Sequence, residues 1–512
     1  MLNSIVRSSI VQGIFTLISI GISFVLTPLL IRGLGDHRYG LWVLIGTVTS
    51  YLGLSDAGMA AALQNHLAIA LGKGDAEEYR RVFSSGVVVY LVLALLMAAL
   101  LSLTVVTLWM THHAFGQPQV LLWSGVCCGL HVVITLFVSP YASVLVSQLR
   151  MDRTAWIAIG QSVVTAVLML LSVQWHAGVV GLSAATLAGG LMAAIATWHA
   201  ARGLAPQLRF DRSAVSDGHV RGILRYSGKK LIAQMADILR FRVDELVTGV
   251  CISLGQVTHY SVAFRLAMFP NDLQGRLMSV LNPVFARYIG QDDSKRLQRR
   301  YWLSLKVSMV LATGGFAAMV LLGHDVIRLW VGSQYEDAYV PLVLLSAALW
   351  VALCQTPSVN LFYATNTHQQ FAYVSLREGV ANLLLSLVFV LRFKMGIVGV
   401  ALGTLAPMVV TKLLIQPSLA LRLVRIPVSR FYLLMAQMML PLGLSCTLIA
   451  VAAHVWLKSG LAKVLIVSLL LCLVCGGHLV AALTSSERQR MSRETAKRIP
   501  AFLRTFWMPN AA

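Results

Sequence analysis

The chain has 512 residues, 57% of them hydrophobic and 12% charged, with a formal net charge of +21. That balance excludes a soluble globular enzyme and fits a polytopic membrane protein. The positive excess reads as membrane topology and attraction to anionic lipid, not as nucleic-acid binding.

Fourteen apolar spans can be laid out in chain order, each near the ~20 residues a helix needs to cross the hydrocarbon core. They run 10–31, 40–63, 83–110, 120–147, 155–174, 178–200 and 229–252, then 258–285, 303–323, 338–362, 370–391, 395–416, 431–456 and 461–483. Three are irregular. The second is broken near Ser55-Asp56-Ala57-Gly58, the seventh is charged, and the eighth holds Pro270 and Pro283. The first span is too long for a cleavable signal peptide and lacks a small-residue cleavage site, so it is expected to stay in the membrane. Lys and Arg concentrate at Arg202–Arg225, Arg287–Arg300 and Arg488–Arg504. This asymmetry places both termini in the cytoplasm, with mild dissent from Arg392/Lys394 and Lys458/Lys463. All seven cysteines fall in or at the ends of spans. The C-x-x-C of Cys472 and Cys475 sits among apolar residues, which favours packing over metal or redox chemistry.

The chain repeats itself. Leu34-Gly35 with Tyr39 follows span one, and Leu254-Gly255 with Tyr260 follows span seven. Gly178-Val179-Val180-Gly181-Leu182 opens span six, and Gly396-Ile397-Val398-Gly399-Val400 opens span twelve. Both echoes are offset by about 220 residues, as an internal duplication would be. Six spans per copy keep the two copies in one orientation, which makes a parallel repeat. The expected organisation is an N-terminal six-helix half (1–201), a cytoplasmic linker (202–228), a second six-helix half (229–420), an added helix pair (421–484) and a basic cytoplasmic tail (485–512). Chance is the competing explanation, since Gly-x-x-Gly is common at helix starts.

Between Lys229 and Glu245 seven ionisable side chains fall in one span: Lys229, Lys230, Asp237, Arg240, Arg242, Asp244 and Glu245. Each charge near the bilayer centre costs about 2.5–3.5 kcal/mol on insertion scales, so such residues usually face water or substrate. Projected as one helix, Tyr226, Lys230, Gln234, Asp237, Phe241, Asp244 and Thr248 share a stripe flanked by Arg240 and Glu245, with Arg242 toward the apolar side. Two plainer readings stand beside this. Asp237–Arg240 and Arg240–Asp244 have the spacing of intrahelical ion pairs, and the segment could lie flat as an amphipathic surface helix. Span eight adds Arg265, Phe269, Asp272 and Arg276 on one face, and Pro270 is expected to kink or open it. Arg377 and Glu378 lie inside span eleven; Lys412 in span twelve could snorkel to the interface. Asp56 is the clear first-half acid, and a helix-capping role at Gly58 suffices for it. Basic side chains at the cytoplasmic side suit an anionic head group, because a guanidinium can bind two phosphate oxygens. Lys230, Arg240, Arg265, Arg276 and Arg377 are the candidate head-group ligands. Asp237, Asp244 and Glu245 are the candidates for binding a coupling H⁺ or Na⁺. No catalytic residue, metal ligand or cofactor is expected.

Three stretches carry a family resemblance. Pro28–Gly35 with Tyr39-Gly40 and Ser55–Met59 resembles the N-terminal signature of bacterial polysaccharide (O-antigen type) flippases. Arg242–Gly249 with Leu254-Gly255 and Tyr260–Ala263 is similar to that family's seventh-helix motif, and Leu329–Tyr335 with Ala338 to its connection between helices nine and ten. The likeness covers nearly the whole chain, but its motifs are structural and speak weakly about substrate. It implies an all-α fold of about fourteen transmembrane helices, two six-helix repeats plus a helix pair, like that of multidrug (MATE) exporters. It further implies an inner-membrane flippase that carries a lipid-linked oligosaccharide by alternating access, often with ion coupling, among membrane lipids and other polysaccharide-assembly membrane proteins. Asp244 matches the family's seventh-helix Asp.

An ion-coupled multidrug exporter and a lipid II flippase are alternatives on the same fold. A cationic drug would favour a net acidic aromatic pocket, which this inventory does not offer. A membrane glycosyltransferase or polymerase would need acids or a nucleophile on a sizeable outer loop. The outer acids Asp36, Asp325, Glu336 and Asp337 sit in short loops, and Asp292-Asp293 reads as a solvated helix start.

Overall fold

The computed structural model describes residues 2–52, 56, 58–111, 118–206, 208–365, 367–456 and 460–482. Its regular structure is entirely helical among them, as a lipid-embedded backbone requires, since a helix satisfies its own N–H and C=O groups. The first half holds α1 (Leu2–Leu34), α2 (Asp36–Leu52), α3 (Met59–Lys73), α4 (Ala76–Thr111), α5 (Pro118–Ser147), α6 (Met151–Gln174) and α7 (Gly178–Leu204). Then come α8 (Asp217–Phe241), α9 (Val243–Cys251), α10 (Leu254–Met278), α11 (Leu281–Gly290), α12 (Ser294–Trp330), α13 (Tyr339–Cys354) and α14 (Thr356–Ala364). The last five are α15 (His368–Leu391), α16 (Gly396–Val410), α17 (Gln416–Leu423), α18 (Val428–Trp456) and α19 (Leu461–Ala482), with one turn of π-helix, Thr411–Ile415, joining α16 to α17.

Eleven helices among the described residues are long and apolar enough to cross a membrane. The second, seventh and eighth expected spans are not among them. The second is split into α2 and α3 around Asp56 and Gly58, as its sequence suggests. The seventh begins earlier than read, at Asp217, and breaks at Arg242. The eighth stops at Met278: Pro270 lies inside α10, whereas the break falls at Ser279-Val280 and Pro283 takes the first turn of α11. A proline is tolerated there because first-turn N–H groups lack helical partners anyway. A further break separates α13 from α14 at Gln355, just before Pro357.

The second echo recurs in the backbone. α7 starts at Gly178 and α16 at Gly396, both with positive φ (62° and 57°). Two residues upstream, His176 and Lys394 also take positive φ (56° and 53°). Only glycine adopts that conformation freely, which accounts for the repeated Gly. The two helix-to-helix turns are copies of one another.

The residues group into two compact units. In the unit formed by 1–262 and 372–404, Phe83, Tyr90, Leu63, Leu67 and Leu145 pack the core between α3, α4 and α5. The connection to α8 docks on α4: the backbone N–H groups of Asp211 and Ser216 donate to Ser84 and Ser85 (3.2 and 3.0 Å), and Arg80 pairs with Asp211 at 3.4 Å. In the other unit, 263–371 and 405–512, α19 lies along α12. Lys463 pairs with the buried Asp325 at 2.7 Å, and Lys306 donates to the carbonyl of Ala482 at the helix C-terminus (3.0 Å). The added helix pair is thus fastened by charge near both ends of α19. The seven cysteines are free thiols.

Candidate functional site

Most of the charged segment 229–245 lies on two helices rather than one. α8 ends at Phe241, Arg242 leaves helical geometry (φ −119°, ψ −17°), and α9 restarts at Val243. The single stripe drawn from Tyr226 to Thr248 is therefore interrupted at Arg242, because the break resets the helical phase. The side chains of Lys230 and Asp237 lie outside the described residues.

Asp244 is 1% exposed. Its carboxylate accepts from the Tyr260 hydroxyl (2.6 Å, α10), the Thr404 hydroxyl (2.6 Å, α16) and Asn382 Nδ2 (3.0 Å, α15). The same Asn382 amide also donates to the carbonyl of Arg240 (3.3 Å), across the end of α8. Its Oδ1 accepts from Thr404 (3.2 Å) and from Ser386 (3.1 Å). Four helices thus converge on one carboxylate, and hydroxyl, amide and carbonyl oxygens crowd around it. A cluster of this kind can hold a proton on the acid, or a hard cation among its oxygens.

The neighbouring acid faces elsewhere. Glu245, 4% exposed, accepts from the Thr47 hydroxyl on α2 and lies 3.8 Å from Arg242. Consecutive residues of a helix point about 100° apart, so α9 ties Asp244 to α10, α15 and α16 and ties Glu245 to α2. Farther along the same contact, Thr258 donates to the carbonyl of Asp36 (2.6 Å), and His259 lies 3.7 Å from its carboxylate.

Arg240 does not wait for a ligand. It is 6% exposed, and its Nε lies 2.5 Å from Glu378 Oε1 on α15. The pair is helix-to-helix, unlike the intrahelical pairing that sequence spacing offered. Gly379 permits it: a Cβ there would sit 2.7 Å from Leu239 Cβ, so only glycine lets α15 approach α8 this closely. Lys412 does not snorkel. It is 2% exposed, on the π-helical turn, with its Nζ 5.0 Å from the Phe371 ring centroid. Asp56 caps α3, accepting from the backbone N–H of Ala60 (3.3 Å), and accepts from the Tyr90 hydroxyl as well.

Arg265 and Arg276 are exposed on α10 with Phe269 and Asp272, and Arg377 is exposed on α15. Within membrane-embedded helices, charged side chains that are not packed in protein face water or a polar guest. Site residues that sequence reasoning did not single out are Asn382, Thr404, Ser386 and Thr47, all uncharged. Tyr260 entered only through the repeat and the family resemblance, not as a partner of Asp244.

A family model described as polysaccharide biosynthesis protein matches residues 29–340. The chain is 19% identical over 407 residues to the uncharacterized membrane protein EpsK of Bacillus subtilis, covering 78% of this chain and 80% of that one. It is 24% identical over 338 residues to the succinoglycan biosynthesis transport protein ExoT of Rhizobium meliloti, covering 64% and 62%. Among solved structures, the lipid II flippase MurJ in an inward closed conformation superposes with a TM-score of 0.70 at 14% identity, covering 92% of this chain and 98% of that one. An inward-facing MATE-family multidrug transporter gives a TM-score of 0.67 at 16% identity, covering 82% and 98%. The fold is the one these transporters share, and the chain is a multi-pass membrane protein.

Proposed function

This chain belongs to the polysaccharide biosynthesis protein family, and from that premise we propose that it is a flippase. Its cargo is an undecaprenyl-pyrophosphate-linked oligosaccharide or polysaccharide repeat unit, moved across the bacterial inner membrane by alternating access. Both termini are cytoplasmic, and coupling to H⁺ or Na⁺ runs through Asp244. The observation that carries this reading is the exposure of Arg265, Arg276 and Arg377 on helices of a membrane protein. Guanidinium groups recognise pyrophosphate oxygens in pairs and repel the cationic drugs an exporter would carry. The relatives supply the pathway, since one of them is a succinoglycan biosynthesis transport protein. Fold likeness to MATE transporters argues less, because one fold hosts many functions.

Asp244 is the coupling site in this scheme. Its oxygen cluster joins four helices, so occupancy by a proton or cation changes how tightly they hold together. Glu245, next in the chain, faces Thr47 on α2 instead; Asp237 and Lys230 enter the proposal on their sequence positions alone, as a second coupling acid and a further head-group cation.

Reconstitution in proteoliposomes with fluorescent probes tests the proposal. Undecaprenyl-pyrophosphoryl oligosaccharide, lipid II and a cationic dye are offered in turn under imposed H⁺ or Na⁺ gradients. The oligosaccharide is expected to move and the dye is not. Asp244→Asn is expected to abolish the response to the gradient. Transport of lipid II alone would reassign the substrate, and a gradient response unchanged in Asp244→Asn would remove Asp244 from coupling.

A further inference from the structure

Helix α15 has two faces of opposite character. Ser375, Glu378, Asn382 and Ser386 are buried at helical spacing, and the last three serve the Arg240 and Asp244 contacts. The other face is exposed: Tyr373 (53%), Arg377, Val380 (44%), Leu384 (58%), Val388 (46%) and Leu391 (61%). These recur at three- and four-residue steps, so they form one continuous stripe. The order along it is aromatic, cationic, then apolar throughout.

Arg377 is the anomaly in that stripe. Among the described residues it forms no ion pair or hydrogen bond. The adjacent Glu378 cannot neutralise it, since that carboxylate is buried against Arg240. Arg377 lies about 13 Å along the helix from its first residue, at 1.5 Å per residue. A guanidinium exposed at that depth, one helical turn from an exposed tyrosine ring and at the head of an apolar run, matches an amphiphile whose charge sits between a ring and a chain.

We propose that this stripe is the recognition track for an isoprenyl-pyrophosphoryl sugar. Arg377 holds the pyrophosphate, Tyr373 stacks on the first sugar, and Val380, Leu384, Val388 and Leu391 guide the isoprenoid chain. The spacing fits: Tyr373 lies roughly 6 Å from Arg377 along the axis, and the apolar run extends roughly 21 Å beyond it. A tyrosine gives a sugar a flat apolar face and a polar edge, and a guanidinium gives a pyrophosphate two parallel hydrogen bonds. The inference rests on the flippase reading and adds to it which residue reads the sugar and which reads the phosphates. Positions on this face are exposed, so their substitution leaves the buried contacts of α15 in place.

The test is binding by the full-length chain in nanodiscs, followed by native mass spectrometry. The probes are undecaprenyl pyrophosphate and undecaprenyl-pyrophosphoryl-glucose. Arg377→Ala is expected to weaken both by about tenfold or more, the usual loss for a charged hydrogen-bond partner. Arg377→Lys is expected to recover only part, because an ammonium does not fork. Tyr373→Ala is expected to weaken only the glucose-bearing probe, by about threefold to tenfold, and Tyr373→Phe to behave as wild type. A photo-reactive residue at Leu384 is expected to capture the chain of either probe. If wild type binds both probes and the Ala variants bind them equally well, the track is wrong while the flippase reading stands. Retention of neither probe by wild type overturns both.

Discussion

The buried pair Arg240–Glu378 offers the sharpest test of the packing around α8 and α15. Its side chains are 8% and 0% exposed and its atoms are 2.5 Å apart. Removing one partner strands a charge inside the protein, which costs about 3–5 kcal/mol. Glu378→Leu and Arg240→Met are each expected to lose that much. If the losses were independent they would sum to roughly 6–10 kcal/mol, as for sites that share no partner. The double variant Arg240→Met/Glu378→Leu is instead expected to lie near wild type, because apolar residues of similar volume replace a buried pair at little cost. Denaturant unfolding of the four proteins in mixed micelles gives the cycle directly. Additive losses would refute the pairing, and so would a single variant within about 1 kcal/mol of wild type. The same four proteins decide the role of Arg240 in transport. A folded double variant that still flips the lipid-linked probe makes Arg240 a structural residue and removes it from the head-group ligands.

Other substitutions follow from close approaches and polar fastenings. Gly40→Ala places a Cβ 1.8 Å from the carbonyl oxygen of Leu254, so α2 must move from the start of α10. Reduced thermal stability and slower transport are expected, and wild-type behaviour in both would contradict the contact. Gly379→Ala is expected to cost about 1–3 kcal/mol through overpacking, measurable in the same unfolding assay. Asp325→Leu leaves Lys463 without its buried partner, and faster proteolysis between α18 and α19 is the expected sign that α19 has loosened. At the docked connection, the Ser213 hydroxyl and backbone N–H hold the Asp211 carboxyl below its ordinary range, with Arg80 assisting. A depressed pKa contributes stability above the unfolded value and loses it as pH falls through the folded one. Hydrogen exchange of residues 211–216, corrected for its intrinsic pH dependence, should therefore rise on acidification, and Asp211→Asn should remove that rise.

The helices were legible because the bilayer demands about twenty apolar residues per crossing, and the chain supplies them plainly. The exceptions were legible as exceptions, since charge and Gly or Pro interruptions mark the second, seventh and eighth spans. Where each helix stops was harder. Pro270 looks like the break in α10, yet the chain runs on to Met278, because a membrane helix can pass a proline where neighbours take up its freed carbonyl. The site was half legible for a related reason. An acid in an apolar span announces itself, so Asp244, Glu245 and Arg240 stand out from the sequence alone. Their partners do not. Asn382, Thr404 and Thr47 are ordinary polar residues, and nothing in their spacing ties them to a carboxylate more than a hundred residues away; Tyr260 is only 16 residues from Asp244 but sits on the next helix, α10, and only Glu378 advertised itself by charge.

The one-helix stripe failed at a single residue, and the consequence is mechanistic rather than cosmetic. A continuous helix would have put Asp244 in line with Asp237 and Lys230. The break at Arg242 frees α9 to take its own phase, so Asp244 reaches α15 and α16 while Glu245 reaches α2. α9 is therefore a nine-residue segment held on two sides by two adjacent acids. Any ion that loosens or tightens the Asp244 cluster changes one of the two grips on α9 and leaves the other to Thr47. Charges in this segment matter less as a cationic surface, since the seven sum to only +1, than as contacts that fix where a short helix sits. Under the proposed function, the buried acids would therefore act through the helices they hold rather than as part of a cationic surface.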